Sequence, residues 1–165
     1  MIDNVIDFIK TIRDLNSKCK SDEILFYRGE NSCHYKETTP KLWRNKTLDL
    51  EYNEYQRIMM ECPEYFDKKD HLSTITMMRH YGACTRLLDI TTNPLVALCF
   101  ACQKNNNNDG KVIVYKTKKS EVLYHTSDKA LMLSCLPLFR DDEQNEIKAF
   151  CEKHRDTITD DDIKK

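Results

Sequence analysis

The chain is organised around residues 80–101, which read HYGACTRLLDITTNPLVALCFA. Residues 91–93 are of types that cap the start of a helix, and Pro94 is favoured at the first helical position. The residues that follow are almost all apolar, which predicts a central helix from Pro94 to about Gln103 that is buried on nearly every side. The preceding residues 83–89 predict a connection that places two charged side chains next to two leucines.

Upstream of this stretch, the apolar pattern predicts two helices and one strand. Apolar residues recur with the helical period over residues 2–12, so we expect an amphipathic helix there. Residues 24–27, Ile-Leu-Phe-Tyr, are too few for a helix and predict a buried strand with Arg28 at its end. An irregular segment with the sole tryptophan, Trp43, predicts a loop, and helical spacing resumes over residues 48–62.

Residue types that are typical of helix ends and of strands predict the remaining elements. Asp70 is a fair N-cap, and Gly82 a C-terminal stop, for a helix between them. The β-branched content of residues 111–116 predicts a second strand, residues 131–133 predict a third, and residues 147–151 predict a final helix. These elements predict an α+β single domain in which a small mixed or antiparallel sheet is wrapped by helices.

The charge balance and the N-terminal segment exclude several classes of protein. The chain has 165 residues, with 26 Lys or Arg and 27 Asp or Glu, so its net charge is −1. No global positive field is present to hold a nucleic-acid backbone, and broad nucleic-acid binding is disfavoured. Asp3 and Asp7 interrupt the N-terminal apolar residues, so this segment is neither a secretory signal nor a membrane span. We therefore expect a cytoplasmic protein that does not contact membranes.

The chain has eight cysteines, an even number that could be taken for a disulfide framework. A cytoplasmic location predicts reduced thiols instead. Cys99 and Cys102 lie in the apolar run of the central helix, which favours core thiols over a metal site. Cys33 and His34 supply two metal ligands at most, so a loop is the favoured interpretation there and no metal site is expected.

Glycine is scarce, and two of the three glycines stand next to charged or ionisable residues. Gly29 follows Arg28 and Gly82 ends the helix before the central stretch, so both are candidates for positions where only glycine fits. Arg28 continues one face of an apolar strand, so an inward guanidinium must meet an anion. That anion is either a carboxylate of this chain, from Glu30 or Asp89, or the phosphate of a ligand.

Four residues of the central stretch are further candidates for chemistry. Arg86 could bind an anion near a helix N-terminus with Asp89 orienting it, or the two could form an internal salt bridge. His80 is either a general acid or base, or a helix-terminal residue favoured by the dipole. Tyr81 either closes a pocket or packs in the core. The chain has none of the common phosphate-loop, serine-hydrolase, dinucleotide-binding or zinc-protease motifs.

Two blocks of this sequence resemble the FRG domain family, which is named for an aromatic-Arg-Gly motif. The first block is Tyr27-Arg28-Gly29, followed by Glu30. The second block is the run HYGACTRLLD of residues 80–89, and it continues through residues 91–101. Three positions depart from the family pattern: Arg79 stands in place of the usual glutamine, Cys84 in place of proline, and Ile90 in place of a frequent aromatic residue.

The resemblance divides the chain into three parts. It spans an FRG-like domain at residues 20–151, and it leaves outside that domain the amphipathic helix predicted by periodicity at residues 1–19 and a polar tail at residues 152–165. The resemblance also implies a further strand-rich portion beyond residues 133–137, so we expect a truncated or minimal member of the family.

The resemblance and the candidate residues imply a polar cleft where the two blocks converge. In it, Arg28, Gly29, Glu30 and Arg86 would bind a phosphate-bearing ligand such as a nucleotide or NAD, and His80, Tyr81 and Asp89 are the catalytic candidates.

Two functions of different classes are open: one uses this cleft, and in the other the motifs are architectural. The first block is also similar to the first motif of arginine-type ADP-ribosyltransferases, in which the arginine holds a dinucleotide phosphate, so one expectation is a nucleotide- or NAD-using transferase or hydrolase. The other expectation is a non-catalytic protein-interaction module in bacterial or phage defence or counter-defence. Arginines that line an open pocket would favour the first, and arginines paired and buried would favour the second.

Overall fold

The computed structural model describes residues 2–32, 38–45, 47–67, 69–103 and 109–154. Within these ranges the chain forms α-helices and one two-stranded antiparallel sheet, which confirms the α+β class with an antiparallel sheet. The helices are α1 (Val5–Ser17), α2 (Lys41–Arg44), α3 (Glu51–Glu61), α4 (Pro63–Phe66), α5 (His71–His80), α6 (Pro94–Ala101), α7 (Asp128–Ser134) and α8 (Asp141–Lys153), and the strands are β1 (Glu23–Glu30) and β2 (Lys111–Lys118).

The chain divides into two compact units, each with its own buried cluster. The first unit comprises Met1–Thr38 and Leu88–Leu123, and the second comprises Thr39–Leu87 and Tyr124–Lys165. In the part of the chain described, no helix is long and apolar enough to cross a membrane. The predictions for Cys33–His34 and for the asparagine-rich loop at residues 105–108 fall outside the described residues.

The first unit is built on the β1–β2 pair. The two strands run antiparallel with Tyr27 opposite Val114 and Arg28 opposite Ile113. Because side chains alternate along a strand, Leu25 and Tyr27 share one face, where they pack with residues of α1 and α6, while Arg28 lies on the other face. The predicted N-terminal helix and both predicted strands are confirmed.

Helix α6 lies directly against the backbone of β1. A Cβ atom placed on Gly29 would lie 1.8 Å from the Ala97 carbonyl oxygen, so only glycine allows this approach. A Cβ atom on Gly110 would lie 2.3 Å from the Ala101 carbonyl oxygen. The backbone of α6 therefore packs closely against both glycines.

The prediction that α6 is buried on nearly every side is wrong. Ala97 and Ala101 are buried, whereas Leu95 and Phe100 are about half exposed. The close approach of the helix to the strand selects the small side chains for the contact and leaves the large ones outside it. Cys99 and Cys102 are exposed as well, so their interpretation as core thiols is also wrong.

The second unit has a core between α3, α4 and α5, formed by Tyr55, Phe66, Ile75 and Met78. The predicted boundaries of α5 are confirmed. The Asp70 side chain accepts a hydrogen bond from the Ser73 backbone N–H, and Gly82, just beyond the helix, has a φ of 93°.

Two local predictions in the second unit are wrong. Residues 131–133 belong to α7 rather than to a third strand, because Ser127 caps a helical turn through a bond from the Ala130 N–H to its hydroxyl. Trp43 lies in the short helix α2 rather than in a loop, since its backbone N–H bonds to the Pro40 carbonyl at 3.1 Å.

Candidate functional site

Arg28 of the first block is held by groups of its own unit. Its Nε donates to Glu30 Oε1 at 3.2 Å, and its Nη1 donates to the backbone carbonyl of Asp89 at 2.8 Å. The side chains are 11% exposed for Arg28 and 3% for Glu30. Of the anions that the sequence allowed for Arg28, the one that binds its guanidinium in the structure is the Glu30 carboxylate. Asp89 contributes its backbone oxygen, and its side chain lies in an exposed position.

A second cation approaches the same carboxylate. Lys111 Nζ lies 3.3 Å from Glu30 Oε2, and its side chain is 27% exposed. In the register of the sheet, Lys111 stands directly opposite Glu30. One buried carboxylate therefore lies between two cationic groups, which leaves this cluster with one net positive charge.

The first block meets the C-terminal part of the second block in the first unit. Tyr27 and Thr91 exchange backbone hydrogen bonds at 2.7 and 2.8 Å, and Arg28 bonds the carbonyl of Asp89. Gly29 then lies against Ala97. The expected convergence of the two blocks is thus realised for residues 89–101.

Arg86 lies in the second unit and is bound to a buried carboxylate. Its Nε donates to Glu51 Oε1 at 2.9 Å, and its Nη2 also bonds to Glu51 Oε2 and, at 3.3 Å, to Gln144 Oε1. Its guanidinium carbon lies 5.8 Å from the ring centre of Trp43. The Arg86 side chain is 14% exposed and that of Glu51 is 4% exposed. The expected pair between Arg86 and Asp89 is replaced by this bidentate pair with Glu51.

Gln144 fixes the geometry of this pair. Its amide Nε2 donates to the backbone carbonyls of Leu136 at 3.1 Å and Phe139 at 2.9 Å, so its oxygen is turned towards Arg86. The space beside Arg86 measures about 10 Å³, which holds roughly one water. This space is too small for a ligand such as a nucleotide.

His80 and Tyr81 lie at the exposed end of α5. Tyr81 is 71% exposed. The rings of His80 and Tyr65 meet that of Tyr81 edge to face, with centroids 5.6 and 6.5 Å away. Neither His80 nor Tyr81 packs in the core, so the core alternative considered for Tyr81 is excluded.

A surface groove of about 520 Å³ borders Tyr81, and we call it the Tyr81 groove. Its walls are mostly apolar or aromatic, with one acidic and one basic residue: Glu54, Arg57, Ile58, Cys62, Tyr65, Phe66, Met78, Tyr81, Gly82 and Ala83. Arg57 bonds to both Glu54, at 2.7 Å, and Glu61, at 3.2 Å. Glu54, Arg57 and Glu61 form the charged rim of the groove, and their two carboxylates and one guanidinium give it one net negative charge.

The predicted site residues are distributed over both units. Arg28, Gly29, Glu30 and Asp89 belong to the first unit, and His80, Tyr81 and Arg86 belong to the second. Within the second unit, Tyr81 borders the groove, whereas Arg86 borders the small space beside Glu51.

One further cluster in the second unit was not found from the sequence. The Ser73 hydroxyl donates to Asp70 Oδ2 at 2.8 Å and lies 3.2 Å from His125 Nε2, which is itself 3.5 Å from Asp70 Oδ1. The backbone N–H of Ser73, then its hydroxyl, lowers the pKa of the Asp70 carboxyl. Because the carboxylate approaches Nε2 and not Nδ1 of the histidine, the cluster lacks the order of a catalytic triad and serves as a helix cap.

Glu30 and Asp89 were considered for Arg28 from the sequence, but Lys111 and both partners of Arg86 were missed, for different reasons. Lys111 would have followed from the strand register, since it opens the second strand opposite Glu30. Glu51 is 35 positions from Arg86 and Gln144 is 58 away. No local sequence pattern links residues at such separations.

Comparison with known proteins identifies the family. The model of the FRG domain matches residues 23–110, which is more than half of the chain and includes both sequence blocks. No curated protein and no solved structure matches the chain. The chain belongs to the FRG domain family.

Proposed function

We propose that the chain is a non-catalytic protein-interaction module whose partner binds in the Tyr81 groove. The observation that carries the proposal is that both motif arginines are bound to buried carboxylates, Arg28 to Glu30 and Arg86 to Glu51. The exposed aromatic surface at Tyr81 is left for recognition.

The electrostatics of the Arg86–Glu51 pair disfavour a phosphate on the Arg86 guanidinium. A phosphate at Arg86 would lie beside the Glu51 carboxylate, which is almost fully buried, and the two negative charges would repel in a medium of low dielectric constant. Replacing Glu51 as the partner would leave that carboxylate buried and unpaired, which costs several kcal/mol. The fixed amide of Gln144 occupies a further donor of the same arginine.

The Tyr81 groove has the size and composition of a recognition site. Its volume of about 520 Å³ is sufficient for one or two large side chains, and Tyr65 and Tyr81 present exposed rings. Tyrosine is enriched at protein interfaces because it combines a large apolar area with a polar end. The negative rim of Glu54, Arg57 and Glu61 favours a partner segment with an apolar or aromatic residue next to Lys or Arg.

A peptide selection tests this proposal directly. Random peptides displayed on phage are selected against the intact chain, and the selected peptides are synthesised and their Kd values measured. We expect enrichment of apolar or aromatic residues flanked by Lys or Arg. Because truncation of an interface hot spot costs at least about 2 kcal/mol, Tyr81→Ala should weaken binding roughly thirtyfold.

Tyr124→Ala is the matched control, because Tyr124 is an exposed tyrosine of the same unit that does not line the groove. It should leave the Kd unchanged. Peptides that bind wild type and Tyr81→Ala equally, or a selection without a common pattern, would refute the proposal.

A second candidate, a phosphate-bearing ligand such as a nucleotide or NAD, is favoured by the net positive charge of the Arg28, Glu30 and Lys111 cluster. Such a ligand would bind at the partly exposed Lys111, and the chain itself would act on it as a transferase or hydrolase. Its test is thermal stability with NAD, ADP-ribose and other nucleotides. This candidate is supported if a ligand stabilises the protein in a concentration-dependent way, and if Lys111→Met abolishes that stabilisation while Lys118→Met retains it. If none of these ligands stabilises the protein, the candidate is rejected.

A further inference from the structure

We infer that Cys99 and Cys102 form a reversible dithiol–disulfide couple on the surface of the first unit. Both thiols are exposed, although their apolar sequence context indicates burial. Among the described cysteines, Cys151 is the other exposed one, and it lies far along the chain in α8 of the second unit. This inference does not depend on the proposed function, since it concerns a different unit and a different chemistry.

The backbone places the two cysteines at bridging distance. The N–H of Cys102 bonds to the carbonyls of Leu98, at 3.0 Å, and Cys99, at 3.1 Å, so the turn from 99 to 102 is closed. With a rise of 1.5 Å per residue and a radius of about 2.3 Å, Cα atoms three residues apart in a helix are roughly 5 Å apart. Disulfides accept Cα separations of about 4.4–6.8 Å. Residues at this spacing also project from neighbouring positions on one face of the helix.

On the side opposite the two cysteines, the backbone of this turn is closely packed. Gly29 and Gly110 bring their backbones so close to Ala97 and Ala101 that even a methyl group would collide with the helix backbone. Ala101, between the two cysteines, is buried, while both cysteines are exposed. The pair is therefore presented to solvent from a turn whose backbone is closely packed on its other side.

The reaction is thiol–disulfide exchange with a small or protein disulfide, RSSR. The thiolate of one cysteine attacks one sulfur of RSSR, which forms a mixed disulfide and releases RS⁻. The second cysteine, as its thiolate, then attacks the protein sulfur of that mixed disulfide, which closes the Cys99–Cys102 bond and releases the second RS⁻. Two protein thiols lose two protons and two electrons, and RSSR is reduced to two thiols. A dithiol reductant reverses both steps.

The test uses the intact chain equilibrated in glutathione redox buffers and then alkylated, digested and analysed by mass spectrometry. The second step is intramolecular, with an effective concentration on the order of mM or higher. At about 0.1 mM total glutathione, the internal disulfide should therefore exceed the mixed disulfides at these two residues roughly tenfold. The signature is a peptide containing both cysteines that has lost two hydrogens.

Variants and an internal control separate this outcome from general thiol reactivity. Cys99→Ser and Cys102→Ser should each retain glutathione as a stable adduct on the remaining cysteine. Cys151, an exposed thiol on another element, should carry the glutathione adduct in the oxidising buffers in the wild type and in both variants. Two glutathione adducts on residues 99 and 102 of the wild-type chain, or two free thiols in the oxidising buffer, would overturn the inference.

Discussion

The Arg86–Glu51 pair is expected to stabilise the second unit through strong mutual coupling. The change is Glu51→Met, which replaces the carboxylate with an apolar chain of similar length and leaves the guanidinium, among the described residues, with the amide oxygen of Gln144 and the Trp43 ring. Removing one partner of a buried ion pair costs about 3–5 kcal/mol. Because the Arg86 side chain retains 14% exposure, water partly solvates the isolated charge, and we expect the lower end, about 3 kcal/mol.

The reverse change and the double change complete a thermodynamic cycle. Arg86→Met should cost a similar amount, since it leaves Glu51 charged and almost fully buried. The double variant replaces the pair with two apolar side chains, which is often nearly neutral. We therefore expect the double variant to lose less than either single variant, with a coupling free energy of about 2–3 kcal/mol.

Urea unfolding followed by the fluorescence of Trp43 measures this cycle. Trp43 is the sole tryptophan of the chain, lies in the second unit and is 5.8 Å from the Arg86 guanidinium carbon, so its emission reports on this unit. Additive losses, with coupling below about 0.5 kcal/mol, would refute the reasoning. A Glu51→Met variant of unchanged stability that now binds inorganic phosphate would show that Arg86 serves an anion instead.

Three further predictions concern substitutions at single positions. Gly29→Ala should prevent folding of the first unit, because its Cβ atom would collide with the Ala97 carbonyl. The Cβ atom of Gly82→Ala would meet open space, so this variant should lose only about 1–2 kcal/mol of stability because of its positive φ. Equal losses of the two variants in circular-dichroism melts would contradict this. The lowered pKa of Asp70 means that its carboxylate stabilises the fold above its ordinary pKa of 3.8, and this contribution is lost as the pH falls through the still lower folded value. Asp70→Asn should thus lower Tm at pH 6 but change it little at pH 2, and a constant difference would exclude the charge effect. Burial raises the pKa of Tyr55 above its ordinary value of 10.0, so stability should fall as pH rises beyond 10; Tyr55→Phe should reduce that slope in urea titrations, and an unchanged slope would contradict the assignment.

The features that the sequence predicted are those decided by near neighbours. The caps at Asp70 and Asn93, the stop at Gly82 and the two strands all depend on residues within one or two turns of the chain. The third strand was wrong for the same kind of reason, since the cap at Ser127 decided in favour of a helix. Local physical chemistry accounts for most element boundaries in both units.

The side of a helix that becomes buried is decided at longer range. Helix α6 is apolar around its whole circumference, so its sequence contains no signal for a buried face. The contact with Gly29, more than 60 positions away, selects Ala97 and leaves Phe100 exposed. The partner of Arg86 is equally remote, and both facts depend on tertiary packing that periodicity does not encode.

The first sequence block and the C-terminal part of the second, residues 89–101, act together as a structural joint in the first unit. Arg28 ties β1 to the carbonyl of Asp89, Tyr27 pairs with Thr91 through the backbone, and Gly29 receives the α6 backbone. Two of these contacts require the residue type found in the block: a long donor at Arg28 and the absence of a side chain at Gly29.

This joint gives Arg28 and Gly29 a structural role within the first unit. It also sets a condition on experiments with Arg28. Loss of binding in Arg28→Ala has meaning only if the variant remains folded, because the same change removes the partner of a carboxylate that is 3% exposed. Lys111→Met is the more informative change, since Lys111 contributes charge to the same cluster from a more exposed position and takes no part in the joint.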